Sequence, residues 1–253
     1  MPKFPSSHVT LITGASTGIG AATALAFAAE GSQVAVHYNS SEAAARKVAD
    51  SIADSGGKAW LFQADLSKAA ECRRLAVEVL KACGRIDTLV NNAGSLVDRK
   101  SLFDIDDEFW QRVLDINLNS AFWTTQAVAR HMTERGSGAI INVSSIAARN
   151  GGGPGATAYA TAKAAMTAMT KGHAKELIAH GVRVNAVNPG VILTPFHERF
   201  SPPERMKAMV STIPQGRAGE PAEIAGAIVF LAGDAASHIV GESLEINGGM
   251  LME

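Results

Sequence analysis

Cysteine is nearly absent. Cys72 and Cys83 are the only two in 253 residues. Two thiols do not make a disulfide framework, and their spacing matches no metal-binding pattern, so both read as packing residues. An excess of one charge is also missing. Lys and Arg number 23 against 24 Asp and Glu, a net charge of −1. That balance argues against a nucleic-acid or membrane-surface partner. No run approaches the roughly 18 apolar residues of a spanning helix. The stretch Met1 to Thr10 is short and polar and lacks the apolar centre of a secretory signal. The expected setting is reducing and cytoplasmic. The seven histidines are scattered with no H-x-x-x-H or H-E-x-x-H, so no metal site is expected. His131, His173 and His180 read as surface or packing residues, whereas His197 follows a proline turn and is a candidate to face substrate. Aromatics are only 6% of the chain, against 47% hydrophobic residues in all. Apolar stretches built from Ala, Val, Ile and Leu suit helices layered on a sheet.

What is present is alternation. Strands are predicted at His8–Ile12, Gln33–Tyr38, Lys58–Gln63, Ile86–Val90, Ala139–Val143, Arg183–Val187 and Leu244–Ile246. Helices are predicted at Ala21–Glu30, about Glu42–Ser55, about Lys68–Cys83, about Asp107–Glu134 with a break near Asn117, Ala158–His180 and Pro221–Ala232. Strand–helix alternation from end to end calls for an α/β fold of the Rossmann type. Its doubly wound parallel sheet carries helices on both faces, giving three layers in a single domain over 1–253. No linker, repeat or charge block divides the chain. Glycine is plentiful, at 24 residues. Pro- and Gly-rich stretches at 151–155 and 188–195 follow predicted strands, where ligands bind in open α/β sheets. A third, at 201–221, precedes the last long helix, and about 193–215 is a candidate substrate lid.

Between the first strand and first helix lies Thr13-Gly-Ala-Ser-Thr-Gly-Ile-Gly20. Glycine lets the backbone approach a ligand closely. The helix N-terminus behind it offers free N–H groups and a positive dipole end, which suit a pyrophosphate.

This turn resembles the cofactor loop of the short-chain dehydrogenase/reductase family, T-G-x-x-x-G-x-G. Further motifs follow in family order: Asn91-Asn-Ala-Gly94 after the fourth strand, Asn117 within Asp115-Ile-Asn-Leu, and Ser144-Ser145 after the fifth strand. Then come Tyr159-Ala-Thr-Ala-Lys163 and Asn188-Pro-Gly190 after the sixth strand. Within the family the chain is similar to 3-oxoacyl-[acyl-carrier-protein] reductases and to sugar and polyol dehydrogenases. The resemblance implies an NAD(P)-dependent oxidoreductase that interconverts a secondary alcohol and a ketone by hydride transfer. The substrate is then a small molecule or an acyl thioester, with a 3-oxoacyl thioester favoured over a sugar or polyol. A reading of another class is a non-catalytic dinucleotide-binding protein on the same fold; retention of both Tyr159 and Lys163 speaks against it. An acidic carrier protein would want a basic patch, to which Arg99, Lys100 and Arg149 are candidate contributors.

Tyr159 and Lys163 sit at i and i+4 on a predicted helix and so share a face. A free tyrosine has a pKa near ~10, and a neighbouring cation favours the phenolate. Tyr159 is thus the expected general acid for reduction, or base for oxidation. By resemblance Ser145 holds the substrate oxygen, with Ser144 the fallback, and the amide of Asn117 holds a water that passes protons from Lys163 to solvent. Ser145 and Tyr159 are fourteen residues apart, one more than the common family spacing. The extra residue falls within 149–155.

The resemblance also implies the cofactor-binding set. Gly14, Ser16, Thr17, Gly18, Ile19 and Gly20 form the turn. Asp65 and Leu66 meet the adenine, and Asn91, Ala93 and Gly94 lie near the adenosine ribose. Lys163, beside Tyr159, bonds the nicotinamide ribose, and Pro189, Gly190, Ile192 and Thr194 lie toward the carboxamide. Asp65 reads equally as a helix cap. The second strand ends in His37-Tyr-Asn-Ser-Ser41, with no acid before Glu42. Tyr38, Asn39 and Ser40 therefore lack the carboxylate that repels a 2′-phosphate, which argues for NADP over NAD. Thr17 stands where many NADP-dependent relatives carry Arg or Lys, which argues the other way. A homotetramer is implied, with 107–134 and 158–180 at one interface and Ile246–Met250 near another.

Overall fold

Strand residues of this chain are apolar on both faces because both faces are covered. Leu11, Ala35, Leu89 and Ile140 point to one side, while their neighbours Ile12, Val36, Val90 and Ile141 point to the other; all are buried. A computed structural model describes residues 4–252. Residues 1–3, where the polar N-terminal stretch begins, lie outside them.

The elements run β1 (Val9–Ile12), α1 (Gly18–Ala29), β2 (Gln33–Tyr38), α2 (Glu42–Asp54), β3 (Ala59–Gln63), α3 (Ala69–Cys83), β4 (Thr88–Asn91) and α4 (Asp107–Leu114). A π-helical turn, Asp115–Asn119, joins α4 to α5 (Ser120–Arg135). Next come β5 (Gly138–Val143), α6 (Ala147–Asn150), α7 (Thr157–Leu177) and β6 (Val182–Pro189). The chain ends with α8 (Pro195–Phe200), α9 (Pro203–Val210), α10 (Pro221–Ala232) and β7 (Ser243–Ile246). All strand pairs are parallel, in the order β3-β2-β1-β4-β5-β6-β7. The expected doubly wound α/β sheet is thus present, with its order reversing between β1 and β4, where ligands bind in such sheets.

Phe27 of α1, Ile52 of α2 and Ile228 of α10 pack on one face. Leu75 of α3, Val128 of α5 and Ala174 of α7 pack on the other. The break expected near Asn117 is the π turn itself. Three short helices, α6, α8 and α9, replace stretches read as loop or left unread. Each is at most eight residues long, too short to show a hydrophobic period. Cys72 and Cys83 are free thiols, the first buried. Among the described residues no helix is long and apolar enough to cross a membrane, and no cluster could hold a metal ion.

Candidate active site

A cleft of about 460 Å³ opens at the C-terminal ends of the strands. The turn after β1 forms its floor. Thr13 Oγ1 accepts from the N–H groups of Asn92 and Ala93 at 2.9 and 3.0 Å. The Asn92 amide donates to the carbonyls of Thr13 and Gly14, both at 2.9 Å. Gly14 N–H donates to His37 Nδ1 at 2.9 Å, and His37 Nε2–H donates to Ala64 O at 3.1 Å. These partners fix His37 as the neutral Nε2–H tautomer, and burial holds its pKa down at about 4.

This turn fits a dinucleotide pyrophosphate. Gly14 has φ +63, and a Cβ on Gly20 would collide with Gly14 O. Thr17 makes no side-chain cap on α1, and no acid stands in its first turn, so the N–H groups of Gly18 and Ile19, which line the cleft, have no partner among the described residues. Gly20→Ala is expected to push the turn out of shape and raise the dissociation constant for NADPH at least about tenfold; fluorescence titration of the dinucleotide reads it.

Gly14, Thr17, Gly18 and Ile19 line the cleft, as do Ala93, Gly94, Pro189, Gly190, Ile192 and Thr194. Ser16 and Gly20 do not; Gly20 is buried behind the turn. Gly14 to Gly18 also has the G-x-S-x-G spacing of a hydrolase nucleophile turn. Ser16 lies off the cleft, however, and His37, bonded to this loop, has both ring nitrogens engaged. Tyr38, Asn39 and Ser40 lie at the end of β2, outside the cleft lining, with Asn39 and Ser40 exposed. Asp65 and Leu66 also lie outside it. Asp65 accepts from the Ser67 hydroxyl at 2.7 Å and pairs with Lys68 at 3.3 Å, closing the turn before α3.

Asn91 departs from its expected place. Its amide donates to Thr125 Oγ1 and to Asn142 Oδ1, both at 2.9 Å, and Asn142 donates onward to Thr170 Oγ1. That buried ladder ties β4 and β5 to α5 and α7. The alternation of a strand turns Asn91 inward, so Asn92 is the side chain at the cleft.

Ser145, Tyr159 and Lys163 open onto the cleft together. Ser145 Oγ accepts from Ala147 N–H at 3.1 Å, and its own hydroxyl is turned to that of Tyr159. Ser144 also borders the cleft, but its hydroxyl donates to Lys163 O at 2.9 Å and is buried, so the side chain binds α7 to β5. Lys163 is 3% exposed and Nζ donates to Val143 O at 2.8 Å. The ammonium lies 5.7 Å from the Tyr159 ring centroid.

The expected lowering of the tyrosine pKa is not what this geometry produces. Burial pushes the Tyr159 hydroxyl up to about 12, opposed by the Ser145 hydroxyl. The same burial holds Lys163 down at about 8. The low-dielectric pocket penalises both charged forms, and Lys163 is anchored to a carbonyl instead of to the phenol.

Asn117 is fully buried in the π turn. Its Oδ1 accepts from Ser95 N–H at 3.0 Å, and its Nδ2 donates to Ser95 O at 2.7 Å and Val113 O at 2.9 Å. Both amide protons are therefore spent, one on the loop after Gly94 and one on Val113 O of α4, so the amide has no donor left for the expected water. A Cβ on Gly94 would stand 2.8 Å from Asn117 Oδ1 and 3.2 Å from Lys163 Nζ; the two side chains converge on that glycine.

The cleft's other walls include Leu96, Val191, Phe196, Met209 and Met250, with Asn150, His197 and Arg99. Of these the sequence singled out only His197 and Arg99. Lys100 pairs with Asp106 at 3.0 Å and Arg149 with Glu245 at 3.7 Å, so the three cations considered as one basic patch have different engagements.

Residues 14–251 match the family model described as enoyl-(acyl carrier protein) reductase. A 3-oxoacyl-[acyl-carrier-protein] reductase of Synechocystis sp. is 44% identical over 248 residues, 98% of each chain. A 7α-hydroxysteroid dehydrogenase, solved with NADH and 7-oxo glycochenodeoxycholic acid, superposes with a TM-score of 0.91 at 35% identity, covering 99% of both chains. A candidate NAD(P)-dependent gluconate 5-dehydrogenase of Beutenbergia cavernae, with NADP at low occupancy, superposes with a TM-score of 0.90 at 35% identity, covering 96% of each.

Proposed function

Because the chain belongs to the short-chain dehydrogenase/reductase family, whose members act on CH–OH groups, we propose that it is an NADP-preferring reductase of 3-oxoacyl thioesters. One observation carries the reading: Ser145, Tyr159 and Lys163 share a cleft whose floor is the glycine turn and the N-terminus of α1. A bound nicotinamide dinucleotide supplies or receives the hydride at the substrate carbon. Gly14, Thr17, Gly18 and Ile19 hold its phosphates, and Lys163, Ile192 and Thr194 hold its nicotinamide half. Ser145 donates to the substrate oxygen and fixes it beside Tyr159. Tyr159, protonated at neutral pH, gives its phenolic proton to that oxygen as reduction proceeds. Lys163 positions the phenol side of the cleft and carries the positive charge that offsets the phenolate left when the proton departs. Asn117 acts through position alone, keeping the 94–95 loop clear of the ammonium.

Leu96, Val191, Phe196, Met209 and Met250 give an acyl chain apolar surface to lie against, which supports a thioester over a polyol. Phe196 of α8 lies 5.8 Å from the Tyr159 ring, and Met209 of α9 lines the cleft, so the 193–215 segment serves as the lid. Self-association, with a homotetramer as the form the family resemblance implies, is supported by apolar side chains in and before α4: Phe103 is 93% exposed and Leu102 70%, just before α4, and Trp110 lies on α4 itself. The test is NADPH consumption with acetoacetyl thioesters and ketoses, with Tyr159→Phe as the control. Ketose turnover without thioester turnover would overturn the substrate reading.

For the cofactor, Glu42 is engaged by Arg46 at 2.7 Å, and residues 39–41 are exposed and uncharged. Nothing there repels a 2′-phosphate. Asn39→Asp is expected to raise the NADH-to-NADPH ratio of kcat/KM at least about tenfold through like-charge repulsion. An unchanged ratio would remove the phosphate from this end of β2.

A further inference from the structure

Arg99 is a cation of the cleft that, like Lys163, has no carboxylate partner among the described residues. Arg99 is half-buried and lines the cleft. Its Nε–H donates to Phe200 O and its Nη1–H to Pro154 O, each at 3.0 Å. Both acceptors are neutral carbonyls, and Nη2 makes no hydrogen bond among the described residues. No carboxylate pairs with Arg99 among them, in contrast to Lys100 and Arg149. Asp98 accepts from the Arg99 backbone N–H at 2.7 Å and not from the guanidinium, whose charged neighbour is another cation: Arg205 of α9 reaches the same Pro154 O at 3.5 Å. Burial and Arg205 together pull the Arg99 pKa below its ordinary value, and burial and Arg99 do the same to His197. His197 also bonds Ser201 at 3.1 Å and so adds no negative charge. Two guanidiniums converging on one carbonyl, partly withdrawn from water, are costly unless an anion completes them.

The loop that seats Arg99 is the one with the extra residue. Gly155 has φ +78, and a Cβ there would stand 3.0 Å from Arg99 Cβ. Its carbonyl accepts from Lys100 N–H at 3.3 Å. The 149–155 loop thus lies directly on the 95–103 loop, with Pro154 O turned to the guanidinium. Phe200 O comes from the end of α8, so Arg99 joins both loops to the lid.

We propose that Arg99, assisted by Arg205, binds an anionic group of the substrate, a carboxylate or a phosphate, within the same cleft as Tyr159. The inference rests on the reductase reading above and narrows its substrate class. Guanidinium matches both anions through paired N–H donors. The anion is either the carboxylate of a free oxo acid or a phosphate on the carrier arm of a thioester.

Two matched pairs separate these sources: 4-oxopentanoate against its methyl ester, and acetoacetyl coenzyme A against acetoacetyl-N-acetylcysteamine. The expected result is that wild type prefers the charged member of one pair at least about tenfold in kcat/KM. Arg99→Gln reduces that charged-to-neutral ratio by about 10- to 100-fold, chiefly through KM. Arg205→Gln, on the outer helix, reduces it less, and Arg99→Lys retains part of it. Preference confined to the oxo acid identifies the carboxylate; preference confined to the thioester identifies the phosphate. Equal losses on both members of a pair in Arg99→Gln would make Arg99 a loop tie only and overturn the inference, as would a wild type indifferent to charge. If wild type reduces none of the four and matches Tyr159→Phe, the reductase reading fails and this inference with it.

Discussion

Tyr159→Phe is expected to lower ketone reduction by about 10³-fold in kcat, with substrate KM little changed. The substitution removes one hydroxyl and leaves the ring against Phe196, so the unfolding midpoint should stay near that of wild type. The loss is large because the hydroxyl is the one proton source that Ser145 and the cleft place beside a substrate oxygen. With its pKa pushed up to about 12, Tyr159 holds its proton throughout the neutral range. The free protein is therefore set for reduction. Alcohol oxidation needs the phenolate, whose fraction grows tenfold per pH unit well below the pKa. Oxidation should accordingly rise with pH from 7 upward while reduction does not. Initial rates in both directions at several pH values check this. A Tyr159→Phe enzyme within tenfold of wild type would remove the hydroxyl from the chemistry.

The layered fold could be read from the sequence because its signals are local and repeated. Apolar strands bounded by glycine, and helices rich in Ala, recur along the chain, and one polar residue, Asn117, marked the interruption that proved to be a π turn. The grouping of Ser145, Tyr159 and Lys163 was legible through helix spacing and ordered motifs. What escaped was side-chain direction at strand ends and across loops. Asn91 and Asn92 are adjacent letters, yet the pleat sends one into the Thr125–Asn142 ladder and the other to the Thr13 turn. His37 gave no signal because its partners, Gly14 and Ala64, are distant in sequence. Arg99 stood out only as a contributor to a basic patch, and its placement was hidden because its carbonyl partners lie 55 and 101 residues away. The tyrosine pKa was misjudged because spacing reveals that two groups share a face, not how far both are desolvated.

Lys163→Met should separate activity from stability. The ammonium is buried at 3% exposure and, among the described residues, bonds only Val143 O, and its pKa is held at about 8 against an ordinary 10.5. Turnover is expected to fall at least about 10²-fold, since the charge that offsets the tyrosine proton is gone. Stability should move the other way or not at all at pH 7. Keeping a buried ammonium charged costs about 3 kcal/mol at that shift, against about 1–3 kcal/mol for leaving Val143 O unpaired in the variant. The pH dependence gives the sharper reading. Below pH 8 the lysine is protonated whether folded or unfolded, so the difference between wild type and variant is flat. Between about 8 and 10.5 the unfolded chain binds one more proton than the folded one, so wild-type stability climbs relative to Lys163→Met as pH rises. From pH 7 to 9.5 that relative gain is about 2 kcal/mol. Urea unfolding of both proteins at the two pH values, at one protein concentration, measures it directly. Parallel stabilities across that window would mean that Lys163 is not held deprotonation-prone by burial, and the cleft would then lack the low dielectric that also raises the pKa of Tyr159.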